Sequence, residues 1–388
     1  MRAISEPGAA PSTDRGTLKT LRRIAFLIRL GSLVLVCASV TAAQLAPIKP
    51  PPGWKQVPSG AGTCSVEKSC SELAPAMIQS ALGASPLEGN LRQLAHLDQG
   101  DSIDSKATES VRNWALEALR HAGVDRAHTE EFTPAASDTA ETETVVGEIR
   151  GRERPDEFVL LGAHLDARSP KTEAVDVGAD LAVVIDAARV IHASGTIPRR
   201  SIRFVLFIRS KPGKPGSRLY ATAHKQELDR AVAGIFFSVG TAPVTGYSLN
   251  GRKDILEAVR ETLEPVRSLG VRTFTLNAEP QPESLDFLLD GIPALVANAG
   301  PENRVPGVRA DAGTIDRAAL HELKNHVAIA AVTAYAIADA PQRIGPRQSP
   351  AQVERLIKDT SLERKMKLAG LWPLWANGER GRQSKHPH

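Results

Sequence analysis

From about Leu73 onward the chain alternates between two hydrophobic periods. Val111, Trp114, Ala115, Ala118 and Leu119 recur at helical spacing until Gly123 stops the run. Phe158–Ala163 is instead a short unbroken apolar run of the kind a strand buried on both faces requires. The alternation continues with a helix over about Leu181–His192 closed by Gly195, a strand Ile202–Ile208, a short helix around Ser217–Glu227 and a strand Gly234–Val239. A helical region Lys253–Leu269, an extended Val271–Leu276, a helix Ser284–Leu289, a strand Ile292–Ala297 and a long Ala-rich helix Leu320–Ala338 complete it. Strands rich in β-branched residues and Leu, each separated from the next by a helix, predict an α/β three-layer sandwich: a mainly parallel mixed sheet flanked by helices. No repeat at a solenoid period is visible.

The flanks read differently. Arg22 and Arg23 precede an apolar run from Ile24 to Val40, and Thr41-Ala42-Ala43 follows, the order of a secretory signal. Residues 1–43 are therefore expected to be a signal peptide, with an uncleaved membrane anchor as the alternative that Arg29 weakens. Export to a periplasm or to the outside of the cell follows. Residues 44–71 include a Lys-Pro-Pro-Pro-Gly run that cannot be helical and reads as a spacer. The α/β body is expected over 72–340, and 341–388 as a C-terminal helical extension with an amphipathic Val353–Ile357. Within that extension Leu371–Trp375 is expected to pack on the body, and the polar residues from Gly378 to fray. Of the three cysteines, Cys37 would leave with the leader, so Cys64 and Cys70 are either one short-loop disulfide or two thiols.

With 388 residues, 42% hydrophobic and 24% charged, the chain can bury a full core. Its net charge of +4 belongs entirely to the first 43 residues, where six Lys/Arg face Glu6 and Asp14; the remainder is balanced. Without a basic field, and with 4% aromatics for base stacking, nucleic-acid binding is not expected. Membrane contact is expected only through an uncleaved leader.

In open α/β sheets ligands gather beyond the carboxyl ends of the strands. There stands Gly162-Ala163-His164-Leu165-Asp166, followed by Ala174-Val175-Asp176-Val177-Gly178, Phe207-Ile208-Arg209-Ser210-Lys211, Phe237-Ser238-Val239-Gly240-Thr241 and Gly307-Val308-Arg309 ahead of Thr314 and Asp316. In these segments, and over about Leu91–Arg380, the chain resembles the co-catalytic di-zinc exopeptidases of metallopeptidase family twenty-eight. The resemblance implies the zinc-exopeptidase fold and, in the family, two zinc ions about 3.5–4 Å apart that share a bridging carboxylate. It assigns His164 as a retained zinc ligand, Asp166 as the acid orienting its ring, and Asp176 as the bridging carboxylate.

The remaining family positions have changed. The general base is replaced by Ser210, and the three other ligand positions hold Lys211, Ser238 and Arg309. An ammonium or a guanidinium repels a dication, and arginine cannot deprotonate to relieve it. The set that remains, His164 and Asp176 with a hydroxyl from Ser238, is a poor one. No cofactor is therefore expected, or at most one weakly bound zinc. Substitute ligands such as Asp180 or His224 would need the right geometry as well as the right atoms. A non-catalytic homologue is thus expected, with a cleft in which Lys211 and Arg309 bind a peptide or a small carboxylate. The alternatives are a working metallo-exopeptidase with an altered or single-metal site, and a structural or partner-binding protein with a collapsed cleft.

Overall fold

The computed structural model describes residues 69–97, 105–124, 126–132, 142–165, 174–208, 216–299, 308–309, 314–378 and 380. The leader, the spacer up to residue 68 and residues 381–388 lie outside them. Three helices open the described chain: α1 (Cys70–Leu82), α2 (Leu87–Leu97) and α3 (Ser105–His121). Ser69 and Glu72 form a reciprocal capping box that fixes where α1 starts. Next come β1 (His128–Phe132), β2 (Thr142–Ile149), β3 (Arg154–Leu165), α4 (Ala174–Ala193), β4 (Arg200–Ile208), α5 (Gly216–Ala223) and β5 (Ala231–Phe237). After β6 (Val244–Ser248) the chain makes α6 (Leu256–Thr262), β7 (Thr273–Thr275), α7 (Pro282–Leu289) and β8 (Ala294–Ala299). A two-residue ladder of β9 (Val308–Arg309) and β10 (Thr314–Ile315) precedes the long α8 (Arg317–Asp339), and α9 (Pro350–Asp359), α10 (Leu362–Leu368) and α11 (Pro373–Ala376) follow.

The eight strands β1 to β8 form one sheet in the order β1-β2-β4-β3-β5-β8-β6-β7. Its centre, β4-β3-β5-β8, is parallel, and the pairs β1-β2, β2-β4 and β6-β8 are antiparallel. The expected three-layer sandwich with a mainly parallel mixed sheet is what forms. Period-two alternation splits the central strands between two cores. Val159, Leu161, Ala163, Phe204, Leu206, Ile235 and Phe237 pack into the larger one, with α1 to α4 and α8. Phe158, Leu160, Val205, Phe207 and Phe236 turn to the other face, against Tyr220 and Phe287. A third cluster joins α7 to the C-terminal helices through Leu285, Leu289, Val353, Ile357, Met366 and Trp375.

One expectation is borne out in more detail and one needs correction. The region Lys253–Leu269 is helical in pieces: 3-10 turns at Lys253–Ile255 and Glu264–Leu269 flank α6, because Pro265 cannot donate within a continuing helix and Gly270 takes a φ of 101°. The residues from Gly378 do not all fray, since the Arg380 side chain is 5% exposed and bonded to Asp286. Of the cysteine pair, Cys64 lies outside the described residues. Cys70 begins α1, where burial first and the charge of Asp339 second push its thiol up to about 12.

Candidate functional site

Parallel register builds the site. Ala163 of β3 stands opposite Phe237 of β5, and His164 opposite Phe207 of β4. The next residue of β5's chain, Ser238, therefore emerges beside His164 at the carboxyl end of the sheet. β4 ends at Ile208 at the same edge; residues 209–215, which contain Ser210 and Lys211, are outside the described residues. His164 is half-buried and Ser238 exposed. Of the positions that the resemblance assigns, these are the two whose side chains are described.

The other sequence-assigned positions are described less fully. Asp176 lies in the first turn of α4 and Arg309 in β9, each as backbone. Asp166, Ser210 and Lys211 lie outside the described residues. Asp316, which follows the last of these segments, is the N-cap of α8: its carboxylate accepts from the Ala318 N–H at 2.6 Å.

Sequence reasoning weighed Asp180 only as a substitute ligand and missed His326. One helical turn beyond Asp176, Asp180 is buried, and its two oxygens accept the backbone N–H groups of Val239 at 3.3 Å and Gly240 at 3.2 Å. It thereby ties α4 to the turn that follows Ser238. Burial pushes its carboxyl above the usual range; the Gly240 hydrogen bond, the charges of His326 and His164, and the Val239 bond offset part of that. His326 of α8 is fully buried, and its Nε2 meets Glu322 Oε1 at 3.4 Å. Asp180 carries a sequence signal as a charged residue inside the otherwise apolar stretch Gly178–Ile185, whereas His326 stands at the head of the apolar run Val327–Val332 and is not set apart in that way. His224 does not join this end of the sheet as a substitute ligand; its ring nitrogens meet Glu130 and Glu227 instead.

The donor chemistry does not fit two zinc ions. Of the positions that the resemblance assigns to zinc ligands, it gives a serine, Ser238, and two cations, Lys211 and Arg309, beside His164 and Asp176, and ammonium, guanidinium and hydroxyl groups are not the donors zinc takes. Among the described residues no group of three His, Cys, Asp or Glu is arranged to hold a metal ion. A cavity of about 920 Å³ lies elsewhere, at the amino ends of β3 and β4 between α1 and α8. It is lined by Cys70, Arg152, Arg199 and Asp339, and both arginines are engaged with acids, Arg152 with Asp339 and Arg199 with Glu153. Also among the described residues, no helix is long and apolar enough to cross a membrane.

A sheet of this order with helices on both faces and a strand-end histidine defines the zinc-exopeptidase class of α/β fold. Residues 144–303 match the model of Peptidase family M28. Bovine carboxypeptidase Q is 27% identical over 157 residues, 40% of this chain and 32% of that protein. Human carboxypeptidase Q is 30% identical over 124 residues, 31% and 26% respectively. The chain thus spans about a third or less of the length of these curated relatives. A peptidase M28 precursor from Shewanella amazonensis superposes with a TM-score of 0.62 at 16% identity, covering 72% of this chain and 99% of that one. The LapA aminopeptidase of Legionella pneumophila gives 0.53 at 16% identity, covering 74% and 78%. The chain has the M28 peptidase fold.

Proposed function

We propose that the chain is an exported, non-catalytic homologue of the M28 exopeptidases whose end-of-sheet cleft binds a peptide or a small carboxylate. The observation that carries this reading is the parallel pairing of Ala163 with Phe237, after which His164 and Ser238, the residues that follow, both stand at the carboxyl end of the sheet. A serine hydroxyl neither neutralises a dication nor holds it as a carboxylate does. The replacements at Ser210, Lys211 and Arg309 support the reading from sequence. Loss of a positioned base alone removes about 10²–10⁴-fold in rate. Turning ligand positions into cations converts a metal cage into a pocket suited to anions, with the Arg309 fork matched to a carboxylate. Export rests on the order of basic, apolar and small residues in 1–43.

The test is elemental analysis of protein purified without chelators, alongside a screen of aminoacyl and dipeptide substrates. Well under one zinc per chain and no turnover above background are expected. Two tightly held zinc ions would overturn the reading. One zinc with turnover would favour an altered single-metal exopeptidase.

A further inference from the structure

His224 lies in the turn after α5, held between two carboxylates. Its Nε2 is 2.7 Å from Glu130 Oε2 on β1, and its Nδ1 is 3.3 Å from Glu227 Oε1. The imidazole packs over Tyr220, with ring centroids 4.2 Å apart, and meets the edge of Phe132. The other charged groups here are placed as firmly. His128 Nε2 meets the second oxygen of Glu130 at 3.1 Å. Arg203 of β4 donates to Glu227 Oε2 at 3.0 Å and to the Tyr220 hydroxyl at 3.1 Å, and its far side bonds Glu148 of β2.

A carboxylate only accepts hydrogen bonds, and a neutral imidazole has one N–H to give. Two ring nitrogens facing two carboxylates are both satisfied only when both carry hydrogen, in the imidazolium form. We propose that protonated His224 is a pH-sensitive clamp fastening α5 to the edge strand β1, closed from acid to neutral pH and released as the ring loses its proton. Once neutral, one nitrogen turns a lone pair toward a carboxylate oxygen, and attraction becomes repulsion.

The location gives the clamp leverage. Among the described strands β1 is outermost and pairs with β2, so its outer side depends on contacts of this kind. α5 is the helix into which residues 209–215, with Ser210 and Lys211, lead. Burial disfavours the charged ring, but the hydrogen bond and charge of Glu130, then those of Glu227, outweigh it and hold the His224 pKa above its ordinary 6.5. The partners are shifted the opposite way. Burial raises Glu130 and Glu227, yet His224 with His128 for the first, and Arg203 with His224 for the second, bring both below 4.5. A raised histidine pKa contributes stability that is complete below the unfolded value and lost as pH climbs through the folded one. The depressed acids contribute above 4.5 and lose that contribution as pH falls. The clamp is therefore strongest between about pH 4.5 and 6.5.

Histidine NMR titration of the full chain, paired with amide hydrogen exchange of segments 128–132 and 216–227 from pH 6 to 9, tests this. His224 should titrate above 6.5, and each unit of that shift should weaken the closed state about tenfold on deprotonation. After correction for intrinsic exchange rates, α5 exchange should therefore rise with pH in the unaltered chain and stay flat in His224→Gln. Glu130→Gln should bring the His224 pKa back toward 6.5. A His224 pKa at or below 6.5, or the same pH dependence of exchange in His224→Gln, would overturn the proposal. If His224→Gln does not fold, the titration of the unaltered chain and of Glu130→Gln still decides it.

Discussion

Arg380 Nε donates to Asp286 Oδ1 at 2.8 Å across a pair in which Asp286 is fully buried, so a residue at the tail of the chain neutralises a charge on α7. The same guanidinium donates from Nη2 to the Arg218 carbonyl and to the Thr222 hydroxyl, both on α5. Arg218 reaches Asp286 as well, but only at 3.4 Å. Breaking a buried pair from one side costs about 3–5 kcal/mol, because the other charge stays behind. Arg380→Ala is expected near the lower end of that range, with Arg218 compensating in part. Urea denaturation measures it, and a loss below about 0.5 kcal/mol, the usual effect of a surface substitution, would mean the contact is incidental.

Glycine makes a sharper distinction. A Cβ at Gly246 would stand 1.7 Å from the Thr273 carbonyl oxygen, inside the parallel pairing of β6 with β7. Neither backbone can give way without breaking that ladder, so Gly246→Ala is expected to cost about 4–5 kcal/mol or to prevent folding. Gly195 has a φ of 68° but no atom within 4 Å of its added Cβ. There Ala meets only the left-handed backbone penalty of about 1–2 kcal/mol. Equal losses at the two positions, read from denaturation midpoints, would contradict the steric account.

The sequence made the centre of the sheet and its β7 edge legible and left the β1 edge and β6 obscure, for physical reasons. β3, β4 and β5 are buried on both faces and so are written as apolar runs. β1 reads His-Thr-Glu-Glu-Phe, because an outer strand lies partly in solvent and carries no such run. β6 is broken in the middle by Gly246. At the site, the strand ends that carry His164 and precede Ser238 were legible because strand runs are written locally. The relation of Asp180 to the Val239–Gly240 turn spans about sixty residues of chain and becomes visible only when α4 is laid across the sheet.

Acid should destabilise the fold through Glu157. Burial alone would raise this carboxyl, but Arg200 at 2.6 Å and Arg343 at 3.0 Å outweigh it and hold the pKa below 4.5. A depressed carboxylate contributes stability above its unfolded pKa and loses it as pH falls through the folded one. Thermal midpoints of the unaltered chain are therefore expected to fall below pH 4.5, and Glu157→Gln should be less stable at pH 6 with a flatter acid limb. Parallel acid limbs in the two proteins would assign the acid loss to other carboxylates.

Restoring the family's side chains separates a lost metal site from one that never stood here. The resemblance keeps His164 and Asp176 and assigns the base and the other three ligands to Ser210, Lys211, Ser238 and Arg309. A chain carrying Lys211→Glu, Ser238→Asp and Arg309→His removes two cations and adds two carboxylates and an imidazole, the donor types zinc takes. Such a variant is expected to bind zinc and to gain stability with it, about 2.7 kcal/mol at a zinc concentration a hundred times Kd. The unaltered chain should gain nothing measurable under the same conditions. Adding Ser210→Glu should then bring peptide hydrolysis above background, since it returns a carboxylate to the position of the base. The thermal midpoint against zinc concentration reads the first step without any activity. If the triple variant stays indifferent to zinc while remaining folded, Lys211, Ser238 and Arg309 do not occupy the ligand positions, and the anion-binding reading of the cleft falls with that assignment.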